Sequence, residues 1–148
     1  MTAFEEGMRA LAQERIDLAV ERLSLATAEA PDDAMVHAFL ASALFAAARP
    51  DASARAIDRS IELGPEEYWP NLKAGELRLR LGDATTAVEH FLVALRAAEP
   101  GTPDATAARL GLVRARREVA GSISHRAVLP RFGWLARRRP RAQINHRG

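Results

Sequence analysis

The chain has 148 residues, 48% hydrophobic and 27% charged, with a formal net charge of +2 and no cysteine. That length holds one hydrophobic core, and that composition is globular. The missing thiols exclude a disulfide framework, a thiolate zinc site and a cysteine nucleophile.

The N-terminal residues MTAFEEG are acidic and lack an apolar run after a basic start, which is not the pattern of a secretory signal. Apolar and small residues then recur at three-and-four spacing in FEEGMRALA and IDLAVERLSLA, predicting two helices. The turn Pro31-Asp32-Asp33 separates them from VHAFLASALFAA. That third segment lies in Ala34–Ala48, which is mostly alanine, contains His37 and is shorter than the roughly 20 apolar residues of a membrane span. A soluble, cytoplasmic protein is expected.

Arg49-Pro50-Asp51 leads into ASARAIDRSIEL, Gly64-Pro65 precedes NLKAGELRLRL, and Gly82-Asp83 precedes ATTAVEHFLVAL. After Pro100-Gly101 a last helix is predicted over Pro103–Ala120. Asp33, Asp51 and Asp83 are read as N-caps, and Thr102 as a cap followed by proline at the first helical position. Pro70 fits a first helical turn, where its missing N–H is harmless. No window alternates like a strand, so the fold class is all-α.

An interval of 34 residues runs through these helices. Gly7, Ala41 and Gly75 repeat at it, as do Ala19, Ser53 and Ala87; Leu23, Ile57 and Phe91; and Ala26, Ser60 and Ala94. Pro31 and Pro65 close the first two units, and Pro100 closes the third after one inserted residue. Small residues let two helix backbones approach, while the large apolar residue fills the gap between neighbouring hairpins.

The units resemble the tetratricopeptide repeat, a helix–turn–helix motif. The match is the small residue midway along the first helix, Ala-x-x-x-large apolar-x-x-Ala/Ser on the second, then proline. It covers about residues 2–100, plus a fourth first-helix with Gly111 in the small slot. The aromatic slots of the family's first helix hold instead Ala3, His37 and Asn71, and Ala10, Leu44 and Arg78. Arg78 must carry its charged head to solvent. The resemblance implies an α-solenoid of about three repeats over residues 1–120, with the lone fourth helix as a C-terminal cap.

Nothing in the sequence organises catalysis. There is no phosphate-binding glycine loop and no H-E-x-x-H. His37 and His90 fall in different helices, and His125 and His146 in the tail; each is read as structural or solvated. The acidic pairs Glu5-Glu6, Asp32-Asp33 and Glu66-Glu67 sit at helix N-termini, where they complement the macrodipole. No base accompanies Ser24, Ser42, Ser53 or Ser60. The chain is read as not an enzyme, with no cofactor and no metal.

The resemblance implies a concave groove, lined by first helices, that holds a peptide or helix of a partner protein. By phase with the family its positions are Phe4, Met8, Met35, Phe39, Phe45, Trp69, Leu72, Lys73, Arg80 and Leu112. Some of these, Phe39 and Leu72 above all, can also be read as inter-repeat core. Family members that clamp a C-terminal carboxylate place Lys, Asn and Arg at several of these slots. Here only Lys73 is retained, which argues against a chaperone-tail clamp and for an amphipathic helix or an apolar extended segment. Trp69, beside a proline in the first turn of its helix, is the first candidate anchor.

Charge is unevenly divided. Residues 1–108 carry ten Lys+Arg against eighteen Asp+Glu, a balance of −8, and residues 109–148 carry eleven Arg against Glu118 alone, a balance of +10. Twenty of the 21 basic residues are arginine, which a GC-rich bacterial genome explains by itself. Residues 121–148 form a basic, Arg-rich extension in which Pro130, Gly133 and Pro140 are expected to prevent one long helix. Phe132 and Trp134, with Arg137, Arg138, Arg139 and Arg141, suit an anionic membrane surface or an acidic protein surface, or the end is solvated. Nucleic acid is disfavoured by the acidic body and the lack of a recognised module. The functional expectation is a non-catalytic adaptor. The alternative is a peripheral anchor that binds anionic membrane or nucleic acid through the tail.

Overall fold

Helix ends set the chain's path. Thr2 Oγ1 accepts from the Glu5 backbone N–H at 3.1 Å, and Glu5 Oε2 accepts from the Thr2 backbone N–H at 2.9 Å, a reciprocal capping box. Asp33 caps its helix through Met35 N–H at 2.9 Å, Asp83 through Thr86 N–H at 3.2 Å, and Thr102 through Ala105 N–H at 3.3 Å. Asp51 is not a cap. Its helix starts one residue earlier, at Pro50, which has no N–H to satisfy and whose ring presets φ, so Asp51 lies in the first turn.

The computed structural model describes the backbone of residues 1–135 and the side chains of residues 1–124. Its helices are α1 (Ala3–Ala12), α2 (Ile16–Glu29), α3 (Ala34–Ala46), α4 (Pro50–Leu63), α5 (Tyr68–Arg80), α6 (Ala84–Ala97) and α7 (Pro103–Leu135). There is no strand among the described residues. Helices α1–α2, α3–α4 and α5–α6 form three hairpins, and α7 covers the last of them. Successive first helices (α1, α3, α5, α7) touch one another, whereas successive second helices do not. The layer whose members touch is the inner one, so the stack curves with its first helices on the concave side.

The 34-residue phase is the packing phase. All twelve residues of its four triads are buried. A Cβ on Gly7 would stand 2.6 Å from Leu23 Cγ, and one on Gly75 would stand 2.8 Å from Phe91 Cε1. Hydrogen there is what lets the first and third hairpins close. The middle repeat replaces two alanines with serine and stays satisfied. Ser53 Oγ donates to Ala41 O at 2.7 Å and Ser60 Oγ to Ala34 O.

The substituted aromatic slots have a polar solution. His37 Nε2 donates to Pro31 O at 2.8 Å, and Asn71 Nδ2, 34 residues on, donates to Pro65 O at 2.9 Å. Both side chains tie their helix to the preceding inter-repeat turn. Arg78 reaches the surface, where its Nη2 lies 3.5 Å from Asp58 Oδ1 on α4.

The last helix is longer than the sequence suggests. It continues past Ala120, through Gly121, Pro130 and Gly133, to Leu135, so the 120/121 division falls inside a continuous helix. A helical glycine costs about 1 kcal/mol and a proline about 3 kcal/mol, penalties that disfavour a helix without forbidding it. The anchorage lies upstream, where Ala105, Ala108, Leu112 and Ala115 are buried. Pro140 lies outside the described residues.

Candidate protein-binding groove

The first helices place a row of rings on the concave side. Phe4 on α1 meets Phe39 on α3 edge-on, with centroids 5.8 Å apart, and Phe39 meets Trp69 on α5 at 5.2 Å. Tyr68 closes the row against Trp69 at 5.0 Å. Lys73 Nζ stands 5.3 Å from the Phe39 centroid and 6.0 Å from that of Trp69, and it pairs with Glu76 at 3.0 Å. Arg80 Cζ lies 5.6 Å from the Phe45 centroid. These cations are held over ring faces, where the quadrupole favours them.

The positions inferred from the sequence separate into two groups. Phe4, Met8, Met35, Phe45, Trp69 and Lys73 are partly exposed, and Arg80 is exposed. Phe39, Leu72 and Leu112 are only 6%, 4% and 5% exposed, so their surface is used mainly in helix packing. Phe39 still supports the row from beneath, between Phe4 and Trp69. Phe132 and Trp134 belong to the stretch of α7 whose side chains are not described, and Arg137, Arg138, Arg139 and Arg141 lie outside the described residues.

Sequence reading missed two features. Tyr68 donates its hydroxyl to Asp104 O at 3.0 Å, joining α5 to the start of α7. Burial, then the charges of Asp104 and Glu76, push its pKa up to about 12, so it stays a donor. The second is a cleft of about 550 Å³ between α5 and α7, whose walls include Lys73, Glu76 and Arg80 on one side and Ala107, Leu110, Gly111 and Arg114 on the other. Phe91 contributes to its lining, and a Cβ on Gly111 would collide with that ring. Leu110 is 56% exposed beside it. The only sequence signal was Gly111, already accounted for as a packing residue.

The histidines hold structure. Both Asn71 amide hydrogens go to carbonyls, those of Pro65 and Glu67, which leaves Asn71 Oδ1 to accept from His90 Nδ1 at 3.0 Å. Burial, then the Arg78 charge, hold the His90 pKa below the ordinary imidazole value, so the neutral ring is favoured. Among the described residues no group of three His, Asp or Glu side chains is placed to hold a metal ion. No helix among them is long and apolar enough to cross a membrane.

No protein-family model matches the sequence, and neither does any curated protein sequence. Solved structures do match. The Sgt2 TPR domain from Aspergillus fumigatus superposes with a TM-score of 0.73 at 18% identity, over 99% of this chain and 88% of that one. The first TPR of Spaghetti (RPAP3), bound to the HSP90 peptide SRMEEVD, gives 0.66 at 19% identity over 80% and 90%. The P58(IPK) TPR domain gives 0.62 at 23% identity over 78% of this chain and 32% of that one. The fold is that of a tetratricopeptide-repeat α-solenoid.

Proposed function

We propose that the chain is a non-catalytic adaptor that holds a peptide or helix of another protein against its concave face. The observation that carries this reading is the ring row from Phe4 through Phe39 and Trp69 to Tyr68, with Lys73 over it. Aromatic surface backed by buried packing and left partly open is what binding anchors are made of. The neighbours of the same fold are TPR domains, which supports a binding role over a catalytic one. A neighbour of the same fold is bound to an HSP90 peptide, which supports a peptide as the kind of partner.

The test is capture by the immobilised full chain, compared with Trp69→Ala and with Leu25→Ala on the exposed side of α2. Trp69→Ala is expected to weaken partner binding by about 2 kcal/mol or more while helicity is unchanged, and Leu25→Ala to leave capture intact. Equal capture by Trp69→Ala and the unmodified chain overturns the reading. Loss of cooperative unfolding in Trp69→Ala makes Trp69 a core residue and removes it as the anchor.

We assign the basic extension a second, electrostatic contact, with a partner protein first and an anionic membrane surface second. Arg109, Arg114, Arg116 and Arg117 are exposed on α7, so the cationic run begins on an ordered helix. Replacing Arg137, Arg138, Arg139 and Arg141 with Ala is expected to reduce partner capture at low salt. On vesicles with and without anionic lipid, equal sedimentation of the two proteins removes the membrane contact.

A further inference from the structure

We propose that the cleft between α5 and α7 receives an internal acidic segment of the partner, in which one apolar side chain is flanked by Asp or Glu. This inference rests on the groove reading and names the chemistry of the bound segment. The cleft of about 550 Å³ has the buried Phe91 in its lining and the exposed Leu110 on its wall, which suits an apolar side chain. Three cations, Lys73, Arg80 and Arg114, share its walls with one acid, Glu76. Lys73 already holds Glu76 at 3.0 Å, and among the described residues neither Arg80 nor Arg114 forms an ion pair. The surplus is therefore two guanidinium groups beside an apolar recess, and their complement is a pair of carboxylates beside an apolar side chain.

The chain's own extension does not fit. It contains no Asp or Glu after Glu118, and its arginines repel this rim. A free C-terminus is not required either. Phe4, Met8 and Phe39, at slots where polar residues would hold a terminal carboxylate, form apolar packing instead. The cations Lys73, Arg80 and Arg114 stand at the α5–α7 end of the stack, where they are placed to meet side-chain carboxylates along a segment.

The probe is a dye-labelled, N-acetylated and C-amidated peptide, Asp-Glu-Leu-Phe-Glu-Asp, titrated against the full chain by fluorescence anisotropy. Two control peptides replace Leu-Phe with Ser-Ser, or every acid with Lys. Saturable binding of the first peptide alone is expected, weakening with added salt. The double variant Arg80→Glu/Arg114→Glu changes charge without touching the core and is expected to weaken binding at least tenfold. Ala107→Trp keeps every charge and fills the recess from an exposed position, with the same expected loss. Helical content and melting temperature of both variants establish that they fold. The proposal is overturned if the first peptide does not bind, if the serine peptide binds equally well, or if either folded variant binds like the unmodified chain. Partner capture that depends on Trp69 but not on Arg80 and Arg114 overturns this inference alone and leaves the groove reading standing.

Discussion

The α3–α5 seam and the α5–α7 seam are built from the same repeat and end differently. At the first, Phe39 and Trp69 meet in the space between the helices, and Ala38, Ala41, Leu44, Ala74 and Leu77 lock the layer below. At the second, Gly111 packs on the Phe91 ring, and a recess opens beside it along Ala107 and Leu110. The first seam presents a finished aromatic surface, the second an unfilled one. A solenoid offers both kinds of contact because each seam depends only on its neighbours. Exposed Leu110 and Val113 both lie on α7, the last helix of the second seam.

Phe91 is the largest lever on that difference. It is 1% exposed and fills the space left by the hydrogens of both Gly75 and Gly111. Phe91→Ala removes the residue on which α5, α6 and α7 close together. A loss of about 3–5 kcal/mol is expected in urea or thermal unfolding. A loss below about 1 kcal/mol would mean that α7 is not held by this ring.

The α3–α4 contact inside the second hairpin and the α5–α7 seam also differ in what they tolerate. Ala41 is fully buried and its carbonyl accepts from Ser53, so Ala41→Leu must overpack the α3–α4 contact. It is expected to cost about 1–3 kcal/mol. Ala107→Trp adds more volume on an exposed wall of the open seam and is expected to stay within about 0.5 kcal/mol of the unmodified chain. Comparable losses in the two melts would show that the α5–α7 seam is as tightly filled as the α3–α4 contact.

How much of this the sequence discloses follows from what repeats. The phase fixed by Gly7, Leu23 and their counterparts locates the hairpins, because each buried position keeps its class, small or large and apolar, in every unit. The groove is legible only as a face. Phe4 and Trp69 lie partly open on it, while Leu72, on the same helix as Trp69, and Leu112 on α7 turn into the packing beside Phe91. A rotation of a fraction of a turn separates the two fates, and periodicity does not resolve it. The cleft is illegible because it depends on how α5 and α7 sit across from each other, which no residue spacing encodes. The length of α7 is not legible either, because glycine and proline are costs on a helix and not stops.

The Asn71–His90 contact joins α5 to α6 on the closed side of the layer and gives that hairpin a pH dependence. The folded state holds the His90 pKa below its ordinary value of about 6.5, so between those two values the unfolded chain binds more protons. Stability is therefore full above about pH 6.5 and declines as the pH falls toward the folded pKa. A denaturant midpoint that drops on acidification from neutral pH, with the slope flattened in His90→Gln, is the expected result. The groups facing the ring are Arg78, Asp58, Glu89 and Asp83. Asp83 has its own pKa lowered, so its contribution falls away only at more acidic pH. A midpoint independent of pH between neutrality and pH 5 would remove His90 from the energetics of the hairpin.

The smallest effect concerns three turns that should behave alike. Glu14, Ala48 and Gly82, again 34 residues apart, each join a first helix to its second helix with φ of 57°, 57° and 81°. At each turn the next backbone N–H reaches back to the end of the first helix, from Arg15 to Ala10 O, Arg49 to Leu44 O and Asp83 to Arg78 O, all at 2.9 Å. This backbone is the left-handed region, where a side chain costs about 1–2 kcal/mol and glycine costs nothing sterically. Only the third turn has glycine. Ala48→Gly relieves the steric term and gives back part of it through the greater freedom of the unfolded chain, a net gain of about 0.5–1 kcal/mol. Gly82→Ala takes the opposite path and is expected to lose about the same amount. Ala48 is exposed, so neither packing nor the groove intervenes between the substitution and the measured midpoint. If Ala48→Gly lowers the melting temperature, the turn geometry common to the three repeats is not what holds the second hairpin, and the steric account of all three turns fails together.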